Sequence, residues 1–259
     1  YKGVNFDLMY GLPLQTTESF RETIETTIRL SPDRLTLLRY AHIPKERKNM
    51  MNIDESQIVG NEEKTIMFLE AVDALKQAGY LHIGIDNFAK PTDELGQAFL
   101  EKRIGRNFVG FTPGRVNNNM LGVGASTTHC FGDCYAQTIY NVGKYQSSNV
   151  GSQFAIESGH RMSKDDLIRR DAIFAILCNQ TLDLRKILDK HNVHEGYFEQ
   201  ELEELRTLED EGLVKISDSS INVTETGRYY VRHVARTFDR YFRENGYAIK
   251  GTQALAKKI

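Results

Sequence analysis

The stretch VNFDLMYGLPLQTTESF, residues 4–20, decides the fold class, because it joins an alternating strand to the start of a helix. Read with a period of two, its apolar residues fall on one face and the polar residues Asn5 and Asp7 fall on the other. Gly11 and the proline after it end the strand, and a helix is predicted over residues 17–30. Asp7 therefore lies near the carboxyl end of a strand in a strand–turn–helix unit, where α/β folds place ligand-binding groups.

The composition excludes several classes of partner. The 259 residues are 40% hydrophobic and 26% charged, with a net charge of −2, so no strong overall field favours nucleic acid or a membrane surface. No apolar run reaches the roughly 18 residues that a membrane-spanning helix needs. The three cysteines fit a reducing compartment better than a disulfide framework. The sequence therefore predicts a cytoplasmic protein without nucleic-acid or membrane partners.

The first residues are unusual for the start of a domain. A strand of central character begins at Val4, within three residues of Tyr1. A strand edge left open at a terminus is unfavourable, since it can pair with other chains. We therefore expect a piece of a longer protein, with an open edge on the strand that begins at Val4.

Residues 1–105 contain two more strand-like runs, 33–44 and 80–91, and helical patterns over 17–30 and 62–78. Strands that alternate with helices predict a parallel sheet, so this segment is predicted to be part of such a sheet.

The remaining chain changes character twice. Residues 106–160 are rich in glycine and asparagine and are predicted to be a connecting and active-site loop region. Residues 161–259 contain helical patterns, a β-hairpin around Asp218-Ser219-Ser220 and a final helix capped by Thr224, which is the order of a winged helix. The first helix is expected to begin with a capping box at Ser163. The helices before the hairpin are predicted over 164–178, 184–190 and 196–211.

The charge of the last segment argues against binding of DNA. Eight acidic residues lie between Glu195 and Glu211, where a groove-reading helix would lie, and Arg206 is the single basic residue there. Phosphates repel such a helix.

An arginine stripe, defined as Arg228, Arg232, Arg236 and Arg240, recurs every four residues of the predicted final helix. One interpretation is a clamp for a ligand with several carboxylates. The interpretation we favour is that the stripe pairs with the acidic helix of the same domain, because surface charges usually find local partners.

The string THCFGDC brings His129, Cys130, Asp133 and Cys134 close in sequence. Two cysteines four positions apart form part of the C-x-x-x-C-x-x-C pattern that binds iron–sulfur clusters, but Gln137 occupies the third position and cannot be a ligand. We predict buried free thiols rather than a metal site.

Seven blocks, in order through nearly the whole chain, resemble the oxygen-independent coproporphyrinogen III dehydrogenases, which are radical S-adenosylmethionine enzymes of haem biosynthesis. The blocks are NFDLMYGLPLQT, PDRLTLLRYAHIP, IGIDNFAKPTDEL, RNFVGFT, LGVGAS…GDCYAQ, IRRDAIFAILCN and EGLVKIS…INVTETGRYYVR. The resemblance implies an α/β fold: the C-terminal part of a partial (βα)6 TIM-like radical SAM barrel, followed by a mostly helical winged-helix-like domain. The cysteines that bind the cluster would precede this chain.

The resemblance also implies the chemistry of the complete protein. Two propionates of coproporphyrinogen III would be oxidatively decarboxylated, giving protoporphyrinogen IX. The cofactors would be S-adenosylmethionine and a [4Fe-4S] cluster whose ligands lie outside this chain, and the partners a porphyrinogen and an electron donor for the cluster. The complete protein would be a monomer, and this chain would be inactive alone.

Carried over by position, the resemblance implies that Asp7, Ala41 and Thr128 contact S-adenosylmethionine, with Thr128 in the loop after GVGAS. It implies that Phe108 and Val109 contact the substrate, and it assigns neither a catalytic side chain nor a metal ligand to this chain.

The sequence departs from the family pattern at several of these positions. Val109 replaces a glutamine, Phe111 a tyrosine and Pro113 a threonine, while Thr128 replaces a hydrophobic residue. Two alternatives therefore stay open. A sister family of haem chaperones shares the barrel, but its corresponding block ends in Tyr-Trp, and this chain has no tryptophan. A paralogue with another substrate is the second alternative, because the polar side chain at position 109 is lost.

Overall fold

The computed structural model describes residues 3–45, 47–114, 119–148 and 155–245. The chain divides into two compact units, Tyr1–Leu100 (unit 1) and Glu101–Ile259 (unit 2). The finer division of the second part into 106–160 and 161–259 stays a prediction.

Unit 1 consists of a small sheet with helices. Its strands and helices are β1 (Asn5–Tyr10), α1 (Thr17–Leu30), β2 (Arg34–Arg39), α2 (Asn61–Gln77), β3 (Leu81–Gly84), β4 (Asn87–Ala89) and α3 (Glu94–Leu100), with short 3-10 turns at Lys48–Asn52 and Glu55–Gln57.

The first strand and helix form as the opening stretch predicts. Phe6 and Leu8 are half-buried and Tyr10 is buried against the core of unit 1, together with Phe20 and Ile24 of α1. Each such side chain contributes about 1.5–3 kcal/mol when it is fully buried. Only this face of β1 packs against the core, so the polar face of the strand is exposed to solvent.

The sheet of unit 1 is only partly parallel. β1 and β2 pair in parallel, with Asp7 opposite Thr36, but the strand order is β1-β2-β4-β3 and β4 runs antiparallel to both neighbours. The third strand-like run, 80–91, was therefore wrongly expected to be one parallel strand.

A turn at Ile85 divides that run into β3 and β4. Ile85 has a left-handed backbone (φ 56°), which is unusual for a β-branched residue. A ring nitrogen of His82 lies 3.0 Å from the carbonyl oxygen of Ile85, and the His82 ring stacks on Phe88 at 4.8 Å. No glycine marks the turning point at position 85, so the sequence pattern did not reveal it.

Within the described residues β1 pairs only with β2, so β1 is an edge of this sheet. The open edge expected for the first strand is confirmed.

Unit 2 contains the rest of the helices and strands. They are β5 (Gly105–Arg106), β6 (Phe111–Thr112), β7 (Thr128–Phe131), β8 (Cys134–Thr138), α4 (Val142–Ser148), β9 (Ile156–Arg161), α5 (Lys164–Asn179), β10 (Thr181–Asp183), α6 (Leu184–His191), α7 (Glu199–Asp210), β11 (Val214–Ile216), β12 (Ser220–Val223), α8 (Val231–Arg236) and α9 (Arg240–Asn245), with 3-10 turns at Glu195–Phe198 and Gly227–Tyr230.

The region 106–160 is not the loop region that its composition predicted. β5 and β6 form a hairpin, and β7, β8 and β9 form an antiparallel sheet in that order. Gly132 makes the turn between β7 and β8 with a φ of 55°. The strands are two to six residues long, so glycine-rich turns dominate the composition and conceal them.

The last hundred residues follow the predicted order, with two corrections. Ser163 and Asp166 form the expected capping box of α5, and the hairpin β11–β12 is present. The first correction is β10, which pairs with β12 and was not predicted.

The second correction is that the predicted final helix is broken. A 3-10 turn and α8 end before Phe238, whose side chain is fully buried. The Asp239 carboxylate then accepts a hydrogen bond from the backbone N–H of Phe242 at 3.0 Å, so a new helix, α9, begins there. Thr224 was expected to cap this segment, but the residue at the cap position is Thr226, which makes no side-chain cap hydrogen bond. The Thr224 hydroxyl accepts from the backbone N–H of Gly227 at 3.0 Å, at the start of the 3-10 turn.

Candidate functional site

The polar face of β1 is exposed along the length of the strand. Asn5, Asp7 and Met9 are exposed in unit 1, and the side-chain amide of Asn5 donates to a carboxylate oxygen of Asp7 at 2.8 Å. Parallel pairing sets Thr36 beside Asp7 and Leu38 beside Met9. The result is an exposed surface that combines a carboxylate, a hydroxyl and two apolar side chains.

The turn that follows β1 is built around Gln15. Its side-chain oxygen accepts hydrogen bonds from the backbone N–H groups of Gly11 (2.7 Å) and Leu12 (3.2 Å), and its amide nitrogen lies 3.4 Å from the carbonyl oxygen of Met9. Gly11 has a φ of 75°, a conformation that favours glycine. Gln15 was not singled out from the sequence, although a glutamine that follows Gly-x-Pro in a strand-ending turn is a usable signal.

Three contacts hold the segment that follows β2. The backbone N–H of Tyr40 donates to the carbonyl oxygen of Tyr10 at 2.9 Å, which ties the ends of β1 and β2 together. The Tyr40 phenol lies 3.1 Å from Nδ1 of His42. Lys64 of α2 donates from Nζ to the carbonyl oxygen of Tyr40 at 3.2 Å, and Ala41, the next residue, is exposed.

Two of the three residues predicted to contact the cofactor lie in unit 1. Asp7 lies on β1, and Ala41 lies directly beyond the end of the neighbouring strand.

Thr128 lies in unit 2 and is not in a loop. It is the first residue of β7, pairs with Gln137 of β8 and is only 7% exposed. The expected loop placement is therefore wrong, because the backbone of Thr128 is taken up by the β7–β8 ladder.

The two predicted substrate contacts lie at the tip of the β5–β6 hairpin. The side-chain oxygen of Asn107 accepts from the backbone N–H groups of Val109 (2.9 Å) and Gly110 (3.1 Å), which closes the turn. Phe108 is half-buried, whereas the Val109 side chain is 80% exposed. Phe111 is buried under the guanidinium of Arg106, which lies 4.9 Å from the ring centroid.

The three cysteines are free thiols in unit 2. Burial raises the pKa of the Cys130 thiol, and it raises the pKa of Cys178 to about 12. Cys134 is only half-buried and donates to Asp133, which raises its pKa. The part of the chain that the structure describes has no group of three or more His, Cys, Asp or Glu side chains that could hold a metal ion.

A network of carboxylates and arginines occupies the core of unit 2. Glu201 of α7 is 1% exposed and accepts from Arg169 (2.6 Å) and Arg243 (2.8 Å). Burial alone would raise the pKa of Glu201, but the hydrogen bonds from the two arginines outweigh burial and lower it. Arg169 also pairs with Asp165 at 3.0 Å.

One member of the arginine stripe contacts carboxylates other than those that the sequence suggested. Arg240 pairs with Asp165 (2.6 Å) and Asp166 (3.3 Å) of α5 rather than with the acidic helix α7. Arg243, which is not a member of the stripe, is the residue that reaches Glu201. Arg240 is the first residue of α9 and so does not share a continuous helix with the stripe residues before it, because α8 ends at Arg236.

Comparison with a solved structure identifies the class of protein that shares this fold. The chain superimposes with a TM-score of 0.87 on coproporphyrinogen III oxidase from Escherichia coli, which is a radical SAM enzyme. The two chains are 36% identical, and the match covers 92% of this chain and 55% of the other. The fold is therefore that of this class, with mixed helix and strand content.

Sequence comparison identifies the particular group. Oxygen-independent coproporphyrinogen III oxidase from Escherichia coli is 36% identical over 245 residues, which are 94% of this chain and 53% of the relative. The enzymes of the same name from Helicobacter pylori (35% over 243 residues; 93% and 53%) and Pseudomonas aeruginosa (34% over 242 residues; 93% and 52%) match similarly. No protein-family model matches the chain.

The predicted resemblance is thus confirmed: the chain is a homologue of the oxygen-independent coproporphyrinogen III oxidases. It spans about half the length of the curated relatives it matches.

Proposed function

We propose that this chain is part of an oxygen-independent coproporphyrinogen III oxidase of haem biosynthesis. The observation that carries the proposal is identity of 34–37% to enzymes of that name over more than nine-tenths of the chain. The reaction is the oxidative decarboxylation of two propionates to vinyl groups. S-Adenosylmethionine and a [4Fe-4S] cluster supply the radical chemistry when both are bound, and an external electron donor reduces the cluster.

The candidate site residues of unit 1 fit S-adenosylmethionine. Asp7 offers exposed carboxylate oxygens to hydroxyl or amino donors, and the backbone of Ala41 offers an amide to a polar acceptor. Met9 and Leu38 provide apolar surface beside them. We assign cofactor contacts to Asp7 and Ala41 on this basis. Thr128 is the third proposed contact, and it is 7% exposed.

The cluster does not fit residues of this chain. Cys130 lies in strand β7, Cys134 opens β8, and the third position of the pattern is Gln137. Thiolates hold such clusters, so the ligands belong to another part of the protein.

The detailed architecture is also a proposal. Parallel pairing of β1 with β2 across α1 supports a partial (βα)6 barrel for the protein as a whole. Helices α5, α6 and α7 with the three-stranded sheet β10-β12-β11 support a winged-helix-like domain at the end of the chain.

The tip of the β5–β6 hairpin is the proposed substrate contact. Val109 is fully available to a ligand and Phe108 is partly so, and both are apolar, which suits the pyrrole face of a porphyrinogen rather than its carboxylates. The exposed valine supports a second candidate function, that of a paralogous radical SAM protein which acts on another substrate.

Turnover by the full-length protein tests the proposal. After anaerobic reconstitution with iron and sulfide, the protein is incubated with S-adenosylmethionine, a reductant and coproporphyrinogen III, and the products are separated after oxidation to porphyrins. We expect protoporphyrin and loss of two carboxyl groups as carbon dioxide. Cleavage of S-adenosylmethionine with unchanged coproporphyrinogen would favour the paralogue, and haem binding without cleavage would favour the chaperone.

A further inference from the structure

Lys64 is a buried cation that contacts the residue before Ala41 of the candidate site. It lies near the start of α2 and is only 6% exposed. Its Nζ donates to the carbonyl oxygen of Tyr40 at 3.2 Å and lies 5.5 Å from the centroid of the Tyr40 ring. No carboxylate pairs with it among the described residues. Lysine is seldom buried unless it is paired, so packing alone does not explain this arrangement.

The side chain of Lys64 passes between the segments that follow β1 and β2. A Cβ atom at Gly11 would lie 2.5–2.8 Å from Cε, Cγ and Cδ of Lys64, which is too close for any real contact. The aliphatic stem of Lys64 therefore packs directly on the backbone of Gly11, and its ammonium group ends at the Tyr40 carbonyl. Both segments that carry the candidate site touch this one side chain.

The contact with Tyr40 fixes the direction of the next amide. The described backbone has no cis peptide bond, so the carbonyl of Tyr40 and the N–H of Ala41 point in opposite directions. Because the carbonyl points toward Lys64, the Ala41 N–H points away from it. Within residues 3–45, 47–114, 119–148 and 155–245, no group accepts a hydrogen bond from this N–H.

The ammonium group also makes that amide a better donor. A charged donor at the carbonyl oxygen polarises the peptide, and hydrogen bonds in such a chain strengthen one another. The pKa of Lys64 is lowered by burial and by the nearby charge of Arg39, which agrees with a cation held in a confined place.

We propose that Lys64 is a positioning residue of the cofactor site: it orients and polarises the Tyr40–Ala41 peptide so that the Ala41 N–H donates to S-adenosylmethionine. The identity of the ligand rests on the proposed function. The role of Lys64 is distinct from that of a structural anchor, because an unpaired buried charge costs stability and its removal need not weaken the fold.

Calorimetric binding of S-adenosylmethionine to the reconstituted full-length protein tests the role of Lys64. Lys64→Met keeps an unbranched side chain, one atom shorter, and removes the charge, and Lys76→Met, at an exposed position of the same helix, is the matched control. We expect Lys64→Met to raise the Kd about three- to tenfold without a fall in the melting temperature, and Lys76→Met to change neither.

A double-mutant cycle tests whether Lys64 acts through the amide. Ala41→Pro removes the N–H, and we expect it to raise the Kd at least as much as Lys64→Met does. In the double variant the two effects should not add, because both act on one hydrogen bond.

Four other outcomes would overturn the proposal, and the measurements distinguish them from one another. If the unaltered protein binds the cofactor and Lys64→Met binds it equally well, Lys64 has no positioning role and the proposed function stands. Full additivity in the double variant would also remove the role through the amide. If Lys64→Met does not fold, Ala41→Pro still decides, since unchanged affinity there overturns the proposal. If the unaltered protein does not bind S-adenosylmethionine, the proposed function fails with it.

Discussion

Two carboxylates, Asp7 in unit 1 and Glu201 in unit 2, have opposite environments. Glu201 is buried and bonded to two guanidinium groups, whereas Asp7 is exposed and accepts a hydrogen bond from its neighbour Asn5. A buried carboxylate with complete partners has no capacity left for a ligand. An exposed carboxylate on the polar face of a strand contributes little to stability and keeps its lone pairs available. Partner geometry therefore separates the structural acid from the candidate binding acid.

The largest expected effect is the loss of Glu201. Glu201→Ala removes the buried carboxylate that Arg169 and Arg243 share. Each arginine keeps one other carboxylate, Asp165 or Glu204, so we expect the free energy of unfolding to fall by about 3 kcal/mol, measured by chemical denaturation. Glu203→Ala on the same helix is the control, because its pair with Arg206 is largely exposed, and no measurable change is expected. Equal effects from the two variants would show that burial does not decide the value of these pairs.

Asp171 should make the stability of unit 2 depend on acid. Burial alone would raise the pKa of Asp171, but hydrogen bonds from Lys190 (2.6 Å) and His191 (2.7 Å) outweigh it, and the pKa lies below the usual 3.8. A lowered pKa means that the stabilisation is complete above the unfolded value and is lost as the pH falls through the folded one. We expect Asp171→Asn to cost about 1–3 kcal/mol at neutral pH.

The matched control for this prediction is Asp189→Asn, an exposed position on the helix that carries Lys190. Thermal unfolding is followed at several pH values. The cost of Asp171→Asn should shrink below the usual aspartate pKa, and a cost that stays constant at every pH would contradict the assignment.

Asp7→Ala should produce the reverse of the Glu201 result. Removing an acceptor for ligand hydroxyl or amino groups should weaken binding of S-adenosylmethionine by about 1–3 kcal/mol, while the melting temperature stays nearly constant because the side chain is exposed. Calorimetry and thermal unfolding of the full-length protein measure the two quantities. The exposed Asp73 of α2 provides the control variant Asp73→Ala, and unchanged affinity in Asp7→Ala would remove Asp7 from the site.

The smallest effects are expected for the arginine stripe. The guanidinium of Arg236 lies 4.5 Å from the centroid of the Phe242 ring, a contact worth about 0.5–1 kcal/mol at a partly exposed position. We expect Arg236→Ala and Arg232→Ala to lower stability slightly and to leave the KM for coproporphyrinogen unchanged. A several-fold rise in KM with an unaltered melting temperature would show that the stripe is a substrate clamp. The charges of unit 2 would then not be purely structural.

Local sequence signals predicted most of the fold. Helix α1 was predicted with its observed bounds, and the capping box at Ser163 and Asp166 was read correctly, because caps and hydrophobic periods act over a few residues. The division at Ile85 was missed because a non-glycine residue adopts the left-handed conformation there, held by the contact with His82. Short antiparallel strands such as β7 were missed because a strand of four residues is too short to show a clear alternation beside glycine-rich turns.

The candidate site was predictable only in part. Alternation along β1 was enough to place Asp7 on an exposed face, and the resemblance supplied Ala41. Lys64 gave no signal, since a lysine near the start of an amphipathic helix normally faces water, and only the path past Gly11 shows why this one does not. The sequence also did not predict which carboxylates the arginines contact, because it gave no sign of the helix break at Asp239.

The packing of Lys64 on Gly11 constrains the order in which these two positions can change during evolution. Position 64 can accept a shorter side chain while glycine remains at position 11, because the space that is left harms neither backbone. Position 11 cannot accept a side chain until position 64 has shortened, and its φ of 75° still favours glycine after that. Among divergent copies of this protein, a substitution at 64 should therefore precede one at 11, and the glycine should be the last of the pair to be lost.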